Sequence, residues 1–229
     1  MFSAMRSVLY FLLFYPGTIF YCIASLVAAS FGPGPIRRVI RNWARFHQLL
    51  VNHLLGIRFV ILEGEIPDGP YLVAVKHQAM VETIEVLLLV NTPVVVMKKE
   101  YVDTPLLGAV MRKFGVIGVD REAGASALRE MMARGKQAIA DGRPVVIFPE
   151  GTRVPVGETP PLRPGFAGLY RALGLPVVPV ALDSGKVWPK GLTKRPGTIR
   201  VKVGEVIPAG LKRGEVEDRV HHAINALER

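Results

Sequence analysis

Pro93-Val94-Val95-Val96-Met97 is a near-continuous apolar run, closed by Lys98-Lys99. A strand that is apolar at every position is buried on both faces, which is the situation inside a parallel sheet covered by helices. Working outward, the same kind of run recurs. Strands are expected at 57–62, 71–76, 93–97, 116–119, 144–148, 177–181 and 198–203, and helices at 81–90, 103–113, 122–141, 164–173 and 213–228. Alternation of this kind gives an α/β fold, a largely parallel sheet flanked by helices. Functional residues of such sheets gather at the carboxyl ends of the strands. Val154 to Pro164, rich in Pro and Gly, is the obvious loop.

Composition narrows the setting. A chain of 229 residues makes one domain with at most a short accessory segment. Half of its residues are hydrophobic, the mean hydropathy is +0.31 and the formal net charge is +10. Anionic partners are therefore expected. No zinc finger, basic zipper or aromatic RNA-reading motif is present, so an anionic bilayer and phosphorylated substrates fit better than nucleic acid. Cys22 is the only cysteine. One thiol excludes an internal disulfide and a cysteine-rich metal site, and it fits a reducing compartment.

Residues 7 to 31 carry no charge, enough length to span roughly 30 Å of hydrocarbon. Pro16-Gly17 stands near the middle and should kink or break such a helix. A membrane anchor is expected over 1–34, kinked or made of two helices, followed by the main domain over 35–229. The run is long for the apolar core of a signal peptide, and no oxidising-compartment chemistry follows it. An amphipathic helix at about 35–55 follows, with Ile36, Val39, Ile40, Trp43, Leu50 and Leu54 at helical spacing and Gly56 ending it. Its arginines are placed to rest on anionic headgroups.

Two blocks carry chemistry. In Lys76-His77-Gln78-Ala79-Met80-Val81-Glu82, a histidine follows one strand and a carboxylate stands five positions later. Imidazole, with an ordinary pKa of about 6.5, can take a proton at neutral pH, and a carboxylate on its other nitrogen fixes the tautomer. Residues five apart on a helix lie roughly 140° from each other, so His77 belongs in the strand-to-helix turn and Glu82 in the first helical turn, curling back. Alone, the pair reads more readily as a surface His beside a helix-starting Glu. The second block, Phe148-Pro149-Glu150-Gly151-Thr152-Arg153, also follows a strand. Pro149 stops the ladder, Gly151 permits a tight turn, and Arg153 offers a planar fork suited to phosphate.

Together with Gly118-Val119-Asp120-Arg121 and Val178-Pro179-Val180-Ala181, these blocks make the chain resemble the membrane-bound lysophosphatidic acid acyltransferases of the PlsC type. That family shows a His-x4-Asp block, an Arg-bearing block, Phe-Pro-Glu-Gly-Thr-Arg and Val-Pro-Val in this order. Lys98-Lys99-Glu100, Pro105 and Gly108 match the approach to the second block, and the likeness covers roughly residues 35 to 205. The departure is Glu82, where most members carry Asp.

The resemblance implies transfer of an acyl chain from acyl-CoA or acyl carrier protein to the sn-2 hydroxyl of 1-acylglycerol 3-phosphate, giving phosphatidic acid. His77 would be the general base and Glu82 its orienting partner. Arg121 and Arg153 would hold the phosphate. Glu150, Gly151 and Thr152 would shape the glycerol pocket, with backbone N–H groups as an oxyanion site. No metal or other cofactor is implied, and the enzyme would sit on the cytoplasmic face of the inner membrane among its lipids. The rival readings are an acyltransferase for another lyso-lipid, such as lyso-ornithine lipid, or a non-catalytic membrane lipid-binding protein. A hydrolase lacks support, since there is no Gly-x-Ser-x-Gly elbow. The remaining histidines read as packing or surface residues, and Asp183-Ser184-Gly185 as turn chemistry.

Overall fold

A computed structural model describes residues 2–120 and 122–228. Two helices open the chain, α1 (Phe2–Ala29) and α2 (Pro33–Leu50), and α2 runs on as a π-helical turn, Val51–Leu55, that Gly56 ends in a left-handed conformation. Next come β1 (Ile57–Glu63), β2 (Leu72–Val75), α3 (Val81–Leu89), β3 (Val94–Lys98), α4 (Lys99–Val102), α5 (Leu107–Phe114) and β4 (Ile117–Val119). The chain continues through α6 (Gly124–Ala140), β5 (Val145–Ile147), α7 (Pro164–Leu173), β6 (Val177–Leu182), β7 (Gly197–Val203) and α8 (Arg213–Ile224).

Among the described residues the seven strands form one sheet in the order β1-β7-β6-β2-β5-β3-β4. Every pairing is parallel except β6 with β7. The expected α/β architecture is thus present, with β1 and β7 as an oppositely directed flank. Strand β2 lies between β6 and β5, with Val75 beside Val180 and Ala74 beside Ile147. The segments that leave these three strands at their carboxyl ends must therefore be neighbours. That constraint builds the site.

Two expected helices differ from the reading of their sequences. The helix expected at 103–113 starts only at Leu107, as α5, after the separate short helix α4. Pro105 disfavours helix at Thr104, Leu106 takes a positive φ of 56°, and Gly108 lies so close to the Val102 carbonyl that a side chain would clash. The helix expected at 213–228 stops at Ile224, and residues 225–228 turn inward.

Segment 1–34 is mostly one helix, packed on the rest of the chain. Helix α1 is continuous through Pro16, so Pro16-Gly17 does not divide it into two helices. A side chain at Gly17 would clash with the ring of Phe46, so the glycine lets α1 lie directly on α2, where Trp43 Nε1 also donates to Thr18 Oγ1 at 3.0 Å. Ser7, Tyr10, Cys22 and Ser25 face inward. Tyr10 is wholly buried against Phe14, His47 and Trp188, in the same core as β2 and β6. The outward side exposes Met5, Leu9, Leu12, Ile19, Phe20, Ile23, Val27 and Phe31. A helix that turns serines inward and large apolar residues outward is matched to a low-dielectric surrounding. The chain is membrane-associated, and α1, long and apolar enough to cross a bilayer, packs against the domain along its length.

Between α2 and α3, the buried Glu85 accepts a hydrogen bond from Gln48 at 2.7 Å, while its second oxygen has no protein partner. Burial raises this carboxyl from 4.5 to about 7, against the pull of the Gln48 donor. Between those two values the folded state keeps a proton that the unfolded state releases, so stability falls as pH rises from 4.5 to about 7. Glu85→Gln should gain on the parent protein across that window by up to about 3 kcal/mol. Denaturation midpoints of both proteins at either end of it test this, and a gap that does not widen toward higher pH would refute it. The buried His47, lowered to about 3 by burial, tilts both profiles alike and leaves the difference untouched.

Candidate active site

His77 leaves the end of β2, and its imidazole Nδ1 lies 3.1 Å from Glu82 Oε1. The contact follows from local geometry. Residues 77–80 form a tight turn, α3 starts at Val81, and Glu82 in its first turn points back over that turn. The same Oε1 accepts the N–H groups of Gln78 and Ala79, both at 2.6 Å. Its other oxygen accepts Ser184 Oγ at 2.8 Å. A wholly buried carboxylate with four such donors is held as the acceptor-only anion. His77 Nδ1 must then carry the proton it gives to Glu82, which leaves Nε2 with a free lone pair. The ring packs at a tilt against Phe148, with centroids 4.4 Å apart, which restrains its plane as well as its tautomer.

The second block begins where β5 ends, beside His77. The Val154 N–H donates to the His77 carbonyl at 2.7 Å, tying the two loops together. Glu150 does not line an open pocket, as the sequence led one to expect; it is buried. One of its oxygens accepts Lys76 Nζ at 2.6 Å and the other the His77 N–H at 2.8 Å. Burial pushes the Glu150 carboxyl up, and Lys76 and the His77 N–H pull against it. Gly151 takes a positive φ of 70°, and its N–H is committed to the Phe148 carbonyl at 2.9 Å, which removes it from any oxyanion site. Thr152 is exposed and Arg153 half-exposed at the mouth. Arg121 lies outside the described residues.

Arg153 has a cationic neighbour, Lys194, that no motif or spacing singles out. Lys194 is buried, sits 5.0 Å over the Trp188 ring, and donates to the carbonyls of Pro189 and Gly191 at 3.0 and 2.7 Å. Burial first, and the charge of Arg153 second, lower its pKa. Two neighbouring cations favour an anion near them. Its backbone N–H is tied to Ser7 Oγ of α1 at 2.9 Å, so the membrane-facing helix supports this end of the site.

Ser184 is the other residue missed. It follows β6, the strand next to β2, and holds Glu82 from the side opposite the backbone N–H groups. Its neighbour Asp183 is a structural partner of Arg200, at 2.7 Å. The Gly185 N–H donates to Gln78 Oε1 at 2.9 Å. Only knowledge of the strand order could have brought Ser184 to Glu82, 102 positions away.

An imidazole oriented by a buried carboxylate, at the carboxyl end of a strand in an α/β sheet, is an arrangement able to take a proton from a hydroxyl. Comparison with known proteins agrees: residues 57–183 match the Acyltransferase family model, and the chain belongs to that family. It is 35% identical over 214 residues, 90% of this chain, to the 1-acyl-sn-glycerol-3-phosphate acyltransferase of Pseudomonas aeruginosa, of which 82% is covered. It is 29% identical over 80% of its length to the enzyme of that name from Limnanthes alba, of which 70% is covered. The fold is shared with the crystal structure of the 1-acyl-sn-glycerophosphate acyltransferase PlsC from Thermotoga maritima, with a TM-score of 0.78 at 24% identity over 99% of this chain and 98% of that one.

Removing the Ser184 hydroxyl tests the carboxylate's grip. Ser184→Ala deletes one of four donors to a buried anion, a bond worth roughly 1.5–3 kcal/mol, so kcat should fall by about tenfold or more in a folded protein. Wild-type kcat would show that the backbone N–H groups alone hold Glu82 in place.

Proposed function

We propose that this protein is a 1-acylglycerol-3-phosphate O-acyltransferase, moving an acyl chain from a thioester donor to the sn-2 hydroxyl of lysophosphatidic acid to form phosphatidic acid. The observation that carries the reading is the His77–Glu82 pair, whose Nδ1 contact leaves Nε2 for the acceptor hydroxyl. His77 Nε2 takes the proton of the acceptor hydroxyl as its oxygen attacks the thioester carbonyl. Glu82 stabilises the imidazolium that forms. Collapse of the tetrahedral intermediate expels the thiolate, which recovers the proton from His77. The acyl donor is acyl-CoA or acyl carrier protein, and no further cofactor enters these steps.

Arg153, with Lys194 as its neighbour, holds the phosphate monoester, and Arg121, which follows β4 in the sequence, is its expected partner. Gly151 and Thr152 shape the loop over the glycerol, while Glu150 acts from beneath by fixing the His77 N–H. The catalytic domain faces the cytoplasm at the inner membrane. The reduced Cys22 and the location of thioester donors both support that side.

His77→Ala should lower turnover by about 10²–10⁴, the usual worth of a positioned general base, with folding intact. Near-normal activity would sink the mechanism. Arg153→Ala should cut kcat/KM for lysophosphatidic acid by about ten- to a hundredfold, and Arg153→Lys should restore only part, since an ammonium keeps the charge but loses the fork. The same change should matter far less for a lyso-lipid without the phosphate monoester. Equal losses on both acceptors would make Arg153 structural and leave the headgroup unassigned.

A further inference from the structure

The last described residues turn from the end of α8 into the floor of the site. Asn225 Oδ1 accepts Lys76 Nζ at 2.6 Å, and Glu228 Oε1 lies 3.6 Å from the same ammonium. Lys76, the residue before His77, is fully buried, and its remaining contacts are Glu150 Oε1 at 2.6 Å and the Glu158 carbonyl at 3.0 Å. Each carboxylate facing Lys76 uses its second oxygen on a loop of the site. Glu150 Oε2 holds the His77 N–H at 2.8 Å, and Glu228 Oε2 holds the Gly157 N–H at 2.7 Å. Glu228 Oε1 also accepts the amide of Gln78, the residue after His77. The other end of that amide holds the Gly185 N–H, next to the Ser184 that grips Glu82.

His77 is thus framed by a chain of polar contacts that runs from Glu228 to both of its sequence neighbours. A buried cluster of one ammonium and two carboxylates is a poor source of net stability, because desolvation offsets most of the Coulomb gain. What such a cluster does supply is direction, since each oxygen accepts along a fixed line. We propose that Glu228, assisted by Asn225, is a positioning residue for the acyl transfer, holding the His77–Gln78 turn and the loop at Gly157 in the reactive arrangement. The inference rests on His77 being the general base.

The test uses the full chain in detergent micelles, with kcat and KM measured for lysophosphatidic acid and for acyl-CoA, beside thermal midpoints. Glu228→Ala should lower kcat by about ten- to a hundredfold, the scale of a small misplacement of a reacting group. KM for each substrate should stay within about twofold, because the residue lies beneath the site. Glu228→Gln, which keeps the shape and one acceptor, should recover part of that loss. Joined with Ser184→Ala, Glu228→Ala should cost less than the product of the two single losses, since both act on one turn.

A Glu228→Ala protein with normal kcat overturns the proposal. So does a loss that vanishes when activity is counted per folded molecule, or losses that multiply. If Glu228→Ala does not fold, Glu228→Gln decides alone: reduced kcat at unchanged KM supports the role, and parental kcat refutes it. His77→Ala separates the two readings. An active His77→Ala removes the base itself, whereas an inactive His77→Ala beside a fully active Glu228→Ala removes only the positioning role.

Discussion

Burying Glu82 is the constraint on which the site depends. A carboxylate taken out of water must be given its hydrogen bonds by the protein, and here each donor is also a part of the active centre. Two come from the backbone of the turn that carries His77, one from the imidazole and one from Ser184 after the neighbouring strand. Satisfying the carboxylate therefore sets the turn, the tautomer and the spacing between β2 and β6 at once. Lys76 and Glu150 repeat the arrangement one layer deeper, joining β2 to β5. The base stands where two buried anions converge on one turn.

The same turn is coupled to the membrane-facing side. Tyr10 of α1 packs on Trp188, whose ring lies under Lys194, and Lys194 neighbours Arg153. Ser7 fixes the Lys194 backbone directly. A helix whose outer side favours an apolar medium thereby also holds the backbone of Lys194 in place.

Much of this was legible in the sequence because it is local. The run Val94 to Met97 shows no polar face, so a strand covered on both sides follows from pattern alone. His77 and Glu82 share one strand–turn–helix unit, so spacing alone brings them together. What the sequence hid was set by strand order or by competition with local preference. Ser184, Lys194, Asn225 and Glu228 reach the site across 102 positions or more from their partners, or through packing that no periodicity reports. Pro16 was read as a breaker on its own merits, yet the helix continues because Gly17 lets Phe46 and α2 hold it from the side. Helix α8 ends early for a similar reason: the hydrogen bonds that Asn225 makes with Lys76 and with the His221 carbonyl compete with further helix.

Glu82, where the motif that the chain resembles has aspartate, fits this picture. An aspartate at the same backbone position would bring its oxygens about one methylene length, roughly 1.5 Å, short of the donors that converge on Glu82. A loss of that size would break contact with Ser184 or with the Gln78 and Ala79 N–H groups unless the turn moved inward. In this chain the turn is fixed from the other side by Glu150 on the His77 N–H and by Gln78, which bridges Glu228 and Gly185. The longer carboxylate and the braced turn are therefore matched to each other. Where the turn is held at that depth, glutamate is the side chain that reaches all four donors.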